Sequence, residues 1–283
     1  MFKIGVMVES FRVGLWQGLE AASKLGADGV QLYASAGESH FAKMDGPARA
    51  KLLKTAKGLN LEFSALCGDF GGNAFHDAAE NKVKVENSKR VMEMALELEC
   101  RIVTTHAGTI PADPKHERYL VLAKAFESLG RFAADHGATF AIETGPEKAD
   151  TLAMFLKDLD IPGGIGVNFD PANLAMVCRE DIPKAVKTLG PWIVHTHAKD
   201  GVNLQPFNPE DFYGPAKRTG ITWDDYFKEV PLGQGQVPFA RYLKVLEEVG
   251  YQGYLTVERE VGGNPAADIA EAVDYLRDLN QSQ

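Results

Sequence analysis

The fold is decided by three short runs of sequence: TFAIET at 139–144, GVNFD at 166–170 and WIVHTHA at 192–198. Each run is rich in the apolar and β-branched residues that fit a buried, pleated strand. Between the runs, Asp150 and Asp181 supply the side-chain oxygen that is typical of a helix start. This order of strand, helix and strand predicts a parallel sheet, because parallel neighbours need a crossover connection.

The same alternation extends in both directions along the chain. Helix-like stretches with apolar residues three and four positions apart include 16–25, 86–98 and 119–136. Strand-like runs lie at 3–8, 29–34, 62–67, 101–107, 139–144, 166–170, 192–198 and 254–260. Eight such units predict one (β/α)8 TIM barrel over 1–283. The alternative is an open doubly wound sheet, but its glycine fingerprint for phosphate is absent after the first run.

Composition excludes several classes of protein. Hydrophobic residues make up 45% of the 283 residues and charged residues 24%, which predicts a large packed core. The formal charge of -9 disfavours a nucleic-acid partner. We find no apolar run of about 20 residues, so no membrane partner is expected. Cys67, Cys100 and Cys178 are scattered and odd in number, which argues against a disulfide framework. We therefore expect a soluble, cytoplasmic enzyme.

The segment 201–237 interrupts the alternation of strands and helices, because it contains several prolines and glycines and no clear strand-like run. It follows the seventh strand, so we expect an active-site loop insertion over the C-terminal mouth of the barrel. Its Phe207, Phe212, Tyr213 and Trp223 fit the wall of a lid, and they fit a self-packed surface loop equally well.

Ligand-type residues recur at the ends of four of the predicted strands: Glu143, Asp170, His197 and Glu258. Intervals of 27, 27 and 61 residues separate them, and one βα unit is roughly 30 residues long. All four are therefore expected at one height in the mouth. Three buried carboxylates repel one another, and one divalent metal ion (Mn, Mg, Co or Zn) would resolve the conflict. Ordinary ion pairs with nearby lysines and arginines are the alternative.

Five motifs resemble those of a known family. They are IETGPE at 142–147, NFDPANL at 168–174, HTHAKD at 195–200, PLGQGQV at 231–237 and TVERE at 256–260. The chain is similar to the xylose isomerase-like TIM barrel superfamily and, within it, to the sugar phosphate isomerase/epimerase group. That group includes ketose 3-epimerases and hydroxypyruvate isomerases. The resemblance extends over nearly the whole chain, since the order of strands, loop and motifs agrees.

The resemblance implies that the four strand-end residues bind one metal ion and that Glu143 and Glu258 are the catalytic acid/base pair. The implied activity is a divalent-metal-dependent sugar or sugar-phosphate isomerase/epimerase, which works by proton transfer through a metal-bound cis-enediolate. The chemistry agrees, because a cation stabilises an enediolate oxygen and a nearby glutamate can move the proton. The expected partner is a small-molecule carbohydrate, and a homo-oligomer is left open.

Further residues at the strand ends are expected to face the same mouth. His195 precedes His197 by two, so it points to the same face, where it either steadies the ligands or is a satisfied core histidine. Asn173 stands where several relatives carry histidine, which argues against a second metal ion. The candidate substrate-binding residues are His106, Asn173, Lys199, Glu260, Glu9 and Tyr33. Each has a structural alternative, and for Lys199 it is ordinary solvation.

Three other functions remain open from the sequence. An inosose-type dehydratase would use the same metal ion and the same proton abstraction, followed by loss of a hydroxyl group. An endonuclease IV-like phosphodiesterase is less favoured, because its extra zinc ions need more histidines than this chain offers. A sugar-binding barrel without activity would lack a ligand or a base, and none of the four is missing.

Overall fold

The computed structural model describes residues 1–216, 219–220 and 222–281. Its strands are β1 (Lys3–Met7), β2 (Gly29–Tyr33), β3 (Glu62–Cys67), β4 (Ile102–Thr105), β5 (Thr139–Glu143), β6 (Ile165–Phe169), β7 (Ile193–Ala198), β8 (Asp200–Asn203), β9 (Phe227–Val230) and β10 (Tyr254–Val257). Eight of them form a closed parallel barrel in the order β1-β10-β7-β6-β5-β4-β3-β2. The predicted (β/α)8 TIM barrel is thus confirmed.

Helices connect the barrel strands. They are α1 (Leu15–Lys24), α2 (Gly46–Gly58), α3 (Ala78–Glu97), α4 (Glu117–His136), α5 (Ala149–Leu159), α6 (Pro171–Asn173), α7 (Ile182–Leu189), α8 (Glu210–Tyr213), α9 (Phe239–Glu248) and α10 (Pro265–Gln281). A short π-helical turn, Leu174–Cys178, follows α6. Within the described residues, none of these helices combines the length and apolar character that a membrane span requires.

Helix starts agree only in part with the sequence-based expectations. The Asp181 side chain accepts a hydrogen bond from the backbone N–H of Lys184 and caps α7, as predicted. The prediction for Asp150 is wrong, because α5 begins one residue earlier and places Asp150 inside its first turn. The predicted start of α3 at residue 86 is also wrong. The helix begins eight residues earlier, at Ala78, and Asp77 caps it; a charged, polar stretch there conceals the apolar periodicity.

The segment 201–237 differs from its prediction, because it contains strands. β8 and β9 pair as an antiparallel hairpin outside the barrel, and we call this hairpin with the residues between its strands the arm. Each strand has only four residues, too few for the alternation to stand out beside the neighbouring prolines. Aromatic rings pack within the arm, with the centroids of Phe212 and Trp223 4.3 Å apart. Residues 217, 218 and 221 lie outside the described residues.

One side chain fixes the base of the arm. The carboxylate of Asp200, at the start of β8, accepts hydrogen bonds from the backbone N–H groups of Gly201, Gly233, Gly235 and Val237 at 2.8–3.1 Å. A Cβ atom on Gly235 would lie only 2.1 Å from this carboxylate, so glycine is needed for the close approach. The PLGQGQV turn therefore closes against the end of the barrel strand β7.

Candidate metal centre

The four strand-end residues converge in the structure. Glu143 ends β5, Asp170 follows β6, His197 lies in β7 and Glu258 follows β10. These strands are consecutive in the barrel, so the side chains meet at the C-terminal mouth. One ligand atom from each residue lies within 4.8 Å of the others, and all four residues are buried. We call these four residues the metal cluster.

His197 is at the centre of the metal cluster. Its Nδ1 atom lies 3.3 Å from Glu258 Oε2, 3.4 Å from Asp170 Oδ2 and 3.6 Å from Glu143 Oε1. Burial would lower the pKa of His197, but the charges of Glu258 and Glu143 outweigh it and raise that pKa well above its usual range. Three buried carboxylates around one imidazole thus attract positive charge, and the donor set fits one divalent cation of the Mn, Mg, Co or Zn type.

Amide groups hold the carboxylate of Glu143. Asn168 donates a hydrogen bond to Oε2 and Asn173 donates one to Oε1, each at 3.0 Å. His106 Nε2 lies 3.3 Å from Oε1. Burial would raise the pKa of Glu143, but the charges of His106 and His197 outweigh it and lower the pKa well below its usual range. The carboxylate is therefore ionised and oriented from several directions.

An ammonium group holds the carboxylate of Glu258 instead. Lys199 Nζ lies 3.0 Å from Glu258 Oε2, contacts Glu260 and lies 3.9 Å from Glu229 of β9. Lys199 is only 4% exposed, so the solvated lysine that the sequence left open is not what the structure contains. Burial would raise the pKa of Glu258, but the charges of Lys199 and His197 outweigh it and lower the pKa to about 2.

His106 lies at the mouth, with 41% of its side chain exposed. Asp69, which follows β3, contacts His106 Nδ1 through Oδ2 at 2.9 Å. The imidazole thus bridges Asp69 and Glu143. The sequence gives no direct signal for Asp69, apart from the glycine-rich stretch 67–73 in which it stands.

Polar side chains fill the barrel interior beneath the metal cluster. His195 Nδ1 lies 2.8 Å from Asn168 Oδ1, and His195 Nε2 lies 2.9 Å from Thr256 Oγ1. His195 therefore acts on Glu143 through the amide of Asn168, and its hydrogen bonds are satisfied within the core. Neither Asn168 nor Gln31 was predicted from the sequence, although Gln31 contacts His197. The feature that could have indicated them is a polar residue at a position of the strand that faces the barrel interior, where the other residues are mostly apolar.

The remaining predicted residues line the rim of the mouth. Glu9 accepts a hydrogen bond from the backbone N–H of Tyr33 through Oε1, whereas its Oε2 is buried without a partner among the described residues. Burial raises the pKa of Glu9 to about 7. Glu260 has 58% of its side chain exposed. Arg259 points away from Glu258, as expected from strand alternation, and contacts Glu229 and Asp268.

Known proteins share this architecture. A family model described as xylose isomerase-like TIM barrel matches residues 19–279. The uncharacterized protein MJ1311 of Methanocaldococcus jannaschii is 27% identical over 212 residues, which are 71% of this chain and 64% of that protein. The chain thus spans slightly less than two thirds of that relative's length.

Two further likenesses differ in extent. L-ribulose-5-phosphate 3-epimerase UlaE of Salmonella paratyphi B is 42% identical over 53 residues, which are 18% of this chain and 19% of that protein. The solved structure of a xylose isomerase domain protein from Planctomyces limnophilus superposes with a TM-score of 0.78. It is 24% identical and covers 99% of this chain and 97% of that chain.

Proposed function

Because the chain belongs to the xylose isomerase-like TIM barrel family, we propose that it is a divalent-metal-dependent isomerase or epimerase of a sugar or sugar phosphate. The observation that carries the proposal is the buried metal cluster of three carboxylates and one imidazole at the C-terminal mouth. Active sites of TIM-barrel enzymes lie at this end of the barrel. The short likeness to an epimerase of a ketose phosphate supports the same class of substrate.

The metal ion and the protein would have different roles in the reaction. When bound by the four residues of the cluster, the cation supplies Lewis-acid stabilisation of the negative charge that develops on the substrate oxygens. The protein supplies the bases. Glu143 comes from β5 and Glu258 follows β10, with β6 and β7 between them in the barrel order. The two carboxylates thus approach the mouth from different sides.

The proton transfer follows from that placement. One glutamate takes the proton from the carbon next to the substrate carbonyl, which gives a cis-enediolate, and a glutamate returns a proton. If the second glutamate returns it to the opposite face, the carbon is inverted and the enzyme is an epimerase. If the same glutamate returns it to the former carbonyl carbon, and a proton also moves from the neighbouring hydroxyl oxygen to the former carbonyl oxygen, the enzyme is an isomerase.

The rim residues divide into two groups by their contacts and exposure. Lys199 and Asn173 contact the two glutamates, so we assign them to orienting these bases. The residues that we propose as substrate contacts are His106, Glu9, Glu260 and Tyr33; His106 also contacts Glu143, but 41% of its side chain is exposed at the mouth. Carbohydrate hydroxyl groups both donate and accept hydrogen bonds, which suits carboxylates, an imidazole and a phenol.

Metal analysis followed by a ketose panel in D₂O tests the proposal. We expect one divalent ion per chain and solvent deuterium in the product. Glu143→Gln and Glu258→Gln should lose turnover while the circular dichroism spectrum stays unchanged. The matched control is the exposed Glu20→Gln, which should keep full activity. Full activity in either site variant would refute the proposed acid/base pair.

The same experiment separates the alternatives. An inosose-type dehydratase acting through these residues would yield an enone or diketone, which NMR distinguishes from an isomerised ketose. A hydride shift would leave the product without solvent deuterium. Cleavage of abasic duplex DNA that falls steeply with salt would favour the endonuclease IV-like function.

A further inference from the structure

The two ring nitrogens of His197 face different surroundings. Nδ1 faces the carboxylates of the metal cluster, whereas Nε2 points into the barrel interior. There it lies 2.9 Å from Oε1 of Gln31, a residue of β2 on another part of the barrel wall. Both residues are fully buried, at 0% exposure. The partner of Nε2 is therefore set by the protein and not by solvent.

We propose that Gln31 is a positioning residue that holds His197 in the tautomer able to bind a cation. When a cation replaces the hydrogen of Nδ1, Nε2 keeps its own hydrogen and donates it to Gln31 Oε1, so that the lone pair of Nδ1 is the one directed towards the carboxylates. This inference rests on the proposed metal cluster, because the tautomer matters only where His197 is a ligand.

The second contact of Nε2 cannot replace Gln31. Asn168 Nδ2 lies 3.2 Å from Nε2, but this amide nitrogen is a donor and already donates to Glu143 Oε2. Among the described residues that contact Nε2, the acceptor is thus Gln31 Oε1. Without it, a hydrogen on Nε2 would be buried and unpaired, which is costly.

Thr104 sets the orientation of the Gln31 amide. Gln31 Nε2 donates a hydrogen bond to Thr104 Oγ1 at 3.0 Å, and this contact directs Oε1 towards His197. A turned amide would present a donor to His197 Nε2 and favour the tautomer with the hydrogen on Nδ1. That hydrogen would occupy the space between His197 and the carboxylates, where the cation binds. Two consecutive hydrogen bonds therefore connect Thr104 through Gln31 to His197, and we expect both to affect the affinity for the cation.

Isothermal titration calorimetry of the full chain with Zn²⁺ and Mn²⁺ tests the proposal. Gln31→Met keeps the size and removes the acceptor, so we expect cation affinity to fall by about 10- to 100-fold. Thr104→Val frees the amide to turn and should cause a smaller loss in the same direction. Gln31→Glu keeps an acceptor and should retain the affinity. The matched control is Ser88→Ala, which removes a buried hydroxyl group in α3, outside the barrel interior.

Nitrogen-15 NMR of the Zn²⁺-loaded protein gives a readout that a general loss of packing would not move. Wild type should show the His197 hydrogen on Nε2, protected from exchange, and Gln31→Met should show fast exchange of that hydrogen. If Gln31→Met fails to fold, Thr104→Val carries the test. Unchanged affinity and exchange in the folded variants would overturn the role of Gln31 while the metal cluster stands. Wild-type protein that binds no cation would overturn the cluster itself, and the inference with it.

Discussion

Lys199 Nζ lies 3.0 Å from Glu258 Oε2, whereas the oxygens of Glu143 accept hydrogen bonds from the neutral amides of Asn168 and Asn173. The two proposed bases thus differ in the charged groups beside them: Lys199 and His197 lower the pKa of Glu258, whereas His106 and His197 lower that of Glu143. A neighbouring ammonium group stabilises the ionised form of a carboxylate and weakens it as a base. We infer that the surroundings of Glu258 and Glu143 suit them to different steps of proton transfer.

Replacement of Lys199 tests the effect of its ammonium group on Glu258. In Lys199→Met the pKa of Glu258, which is about 2 in the wild type, should rise because the ammonium charge is lost while burial remains. The acidic limb of the pH–rate profile should then move to higher pH, and kcat/KM at neutral pH should fall by roughly 10- to 100-fold because the ammonium group no longer orients the Glu258 carboxylate. Lys187→Met, which removes an exposed lysine 3.3 Å from Glu248, is the control and should leave the profile unchanged.

Asp200 is predicted to determine the order of the arm. Asp200→Ala removes the acceptor for four backbone N–H groups, so the free energy of unfolding should fall by about 1–3 kcal/mol. Hydrogen exchange should rise most at residues 231–237. Asp113→Ala, which removes an exposed carboxylate bonded to one N–H group, should have a much smaller effect. Unchanged exchange at the turn would contradict the assignment.

Glu147 gives a pH dependence of stability that is independent of the metal cluster. Both its carboxylate oxygens are buried without a side-chain partner among the residues that the structure describes, and burial raises its pKa from 4.5 to about 8. The folded state therefore binds more protons than the unfolded state between these values, so wild-type stability should fall as pH rises through this window. Glu147→Gln carries no such charge. We therefore expect the free energy of unfolding of the variant, relative to that of the wild type, to increase by up to about 4 kcal/mol as the pH rises through this window.

Chemical denaturation of wild type and Glu147→Gln near pH 4.5 and pH 8.5 measures this difference. The exposed Glu20→Gln serves as the control and should follow the wild type at both values. A Glu147→Gln difference that does not change with pH would show that the carboxyl group is already paired or solvated in the folded protein.

Asp69 is predicted to act through His106. Asp69→Asn weakens the contact that fixes the imidazole, so we expect kcat/KM to fall by about 10-fold or more, mainly through a higher KM. His106→Asn should give a loss of similar size. The double variant should be no worse than the more damaged single variant if the two residues act as a unit. Additive losses would instead indicate separate roles.

The fold and the metal cluster could be predicted from the sequence because the strand–helix unit repeats along the chain. Each barrel unit places its strand end at a regular interval, so the spacing of Glu143, Asp170 and His197 predicts their convergence without any three-dimensional information. The interval to Glu258 is longer only because the arm intervenes. Periodicity thus carried the prediction of both the barrel and its ligand-type residues.

Residues that depend on contacts between distant strands were not accessible. Gln31 and Asn168 are ordinary polar residues in the sequence; closure of the barrel brings Gln31 of β2 to His197 of β7, and the pairing of β5 with β6 places Asn168 beside Glu143. The burial of Lys199 was missed for the same reason, because its partners Glu258 and Glu229 are far away in the chain. The strands of the arm were missed because a four-residue strand contains too few alternations to be recognised.

The anchoring of the arm has a consequence for how this protein can diversify. All four hydrogen bonds of Asp200 go to backbone groups near the two ends of the arm, and Glu210 of α8 separately contacts Arg118 of α4. The Asp200 anchor would therefore hold the base of the arm in place if the distal portion were exchanged, while the metal cluster of the barrel stays constant. A change of substrate preference would then require replacement of this one loop, and the residues of the metal cluster would remain the same.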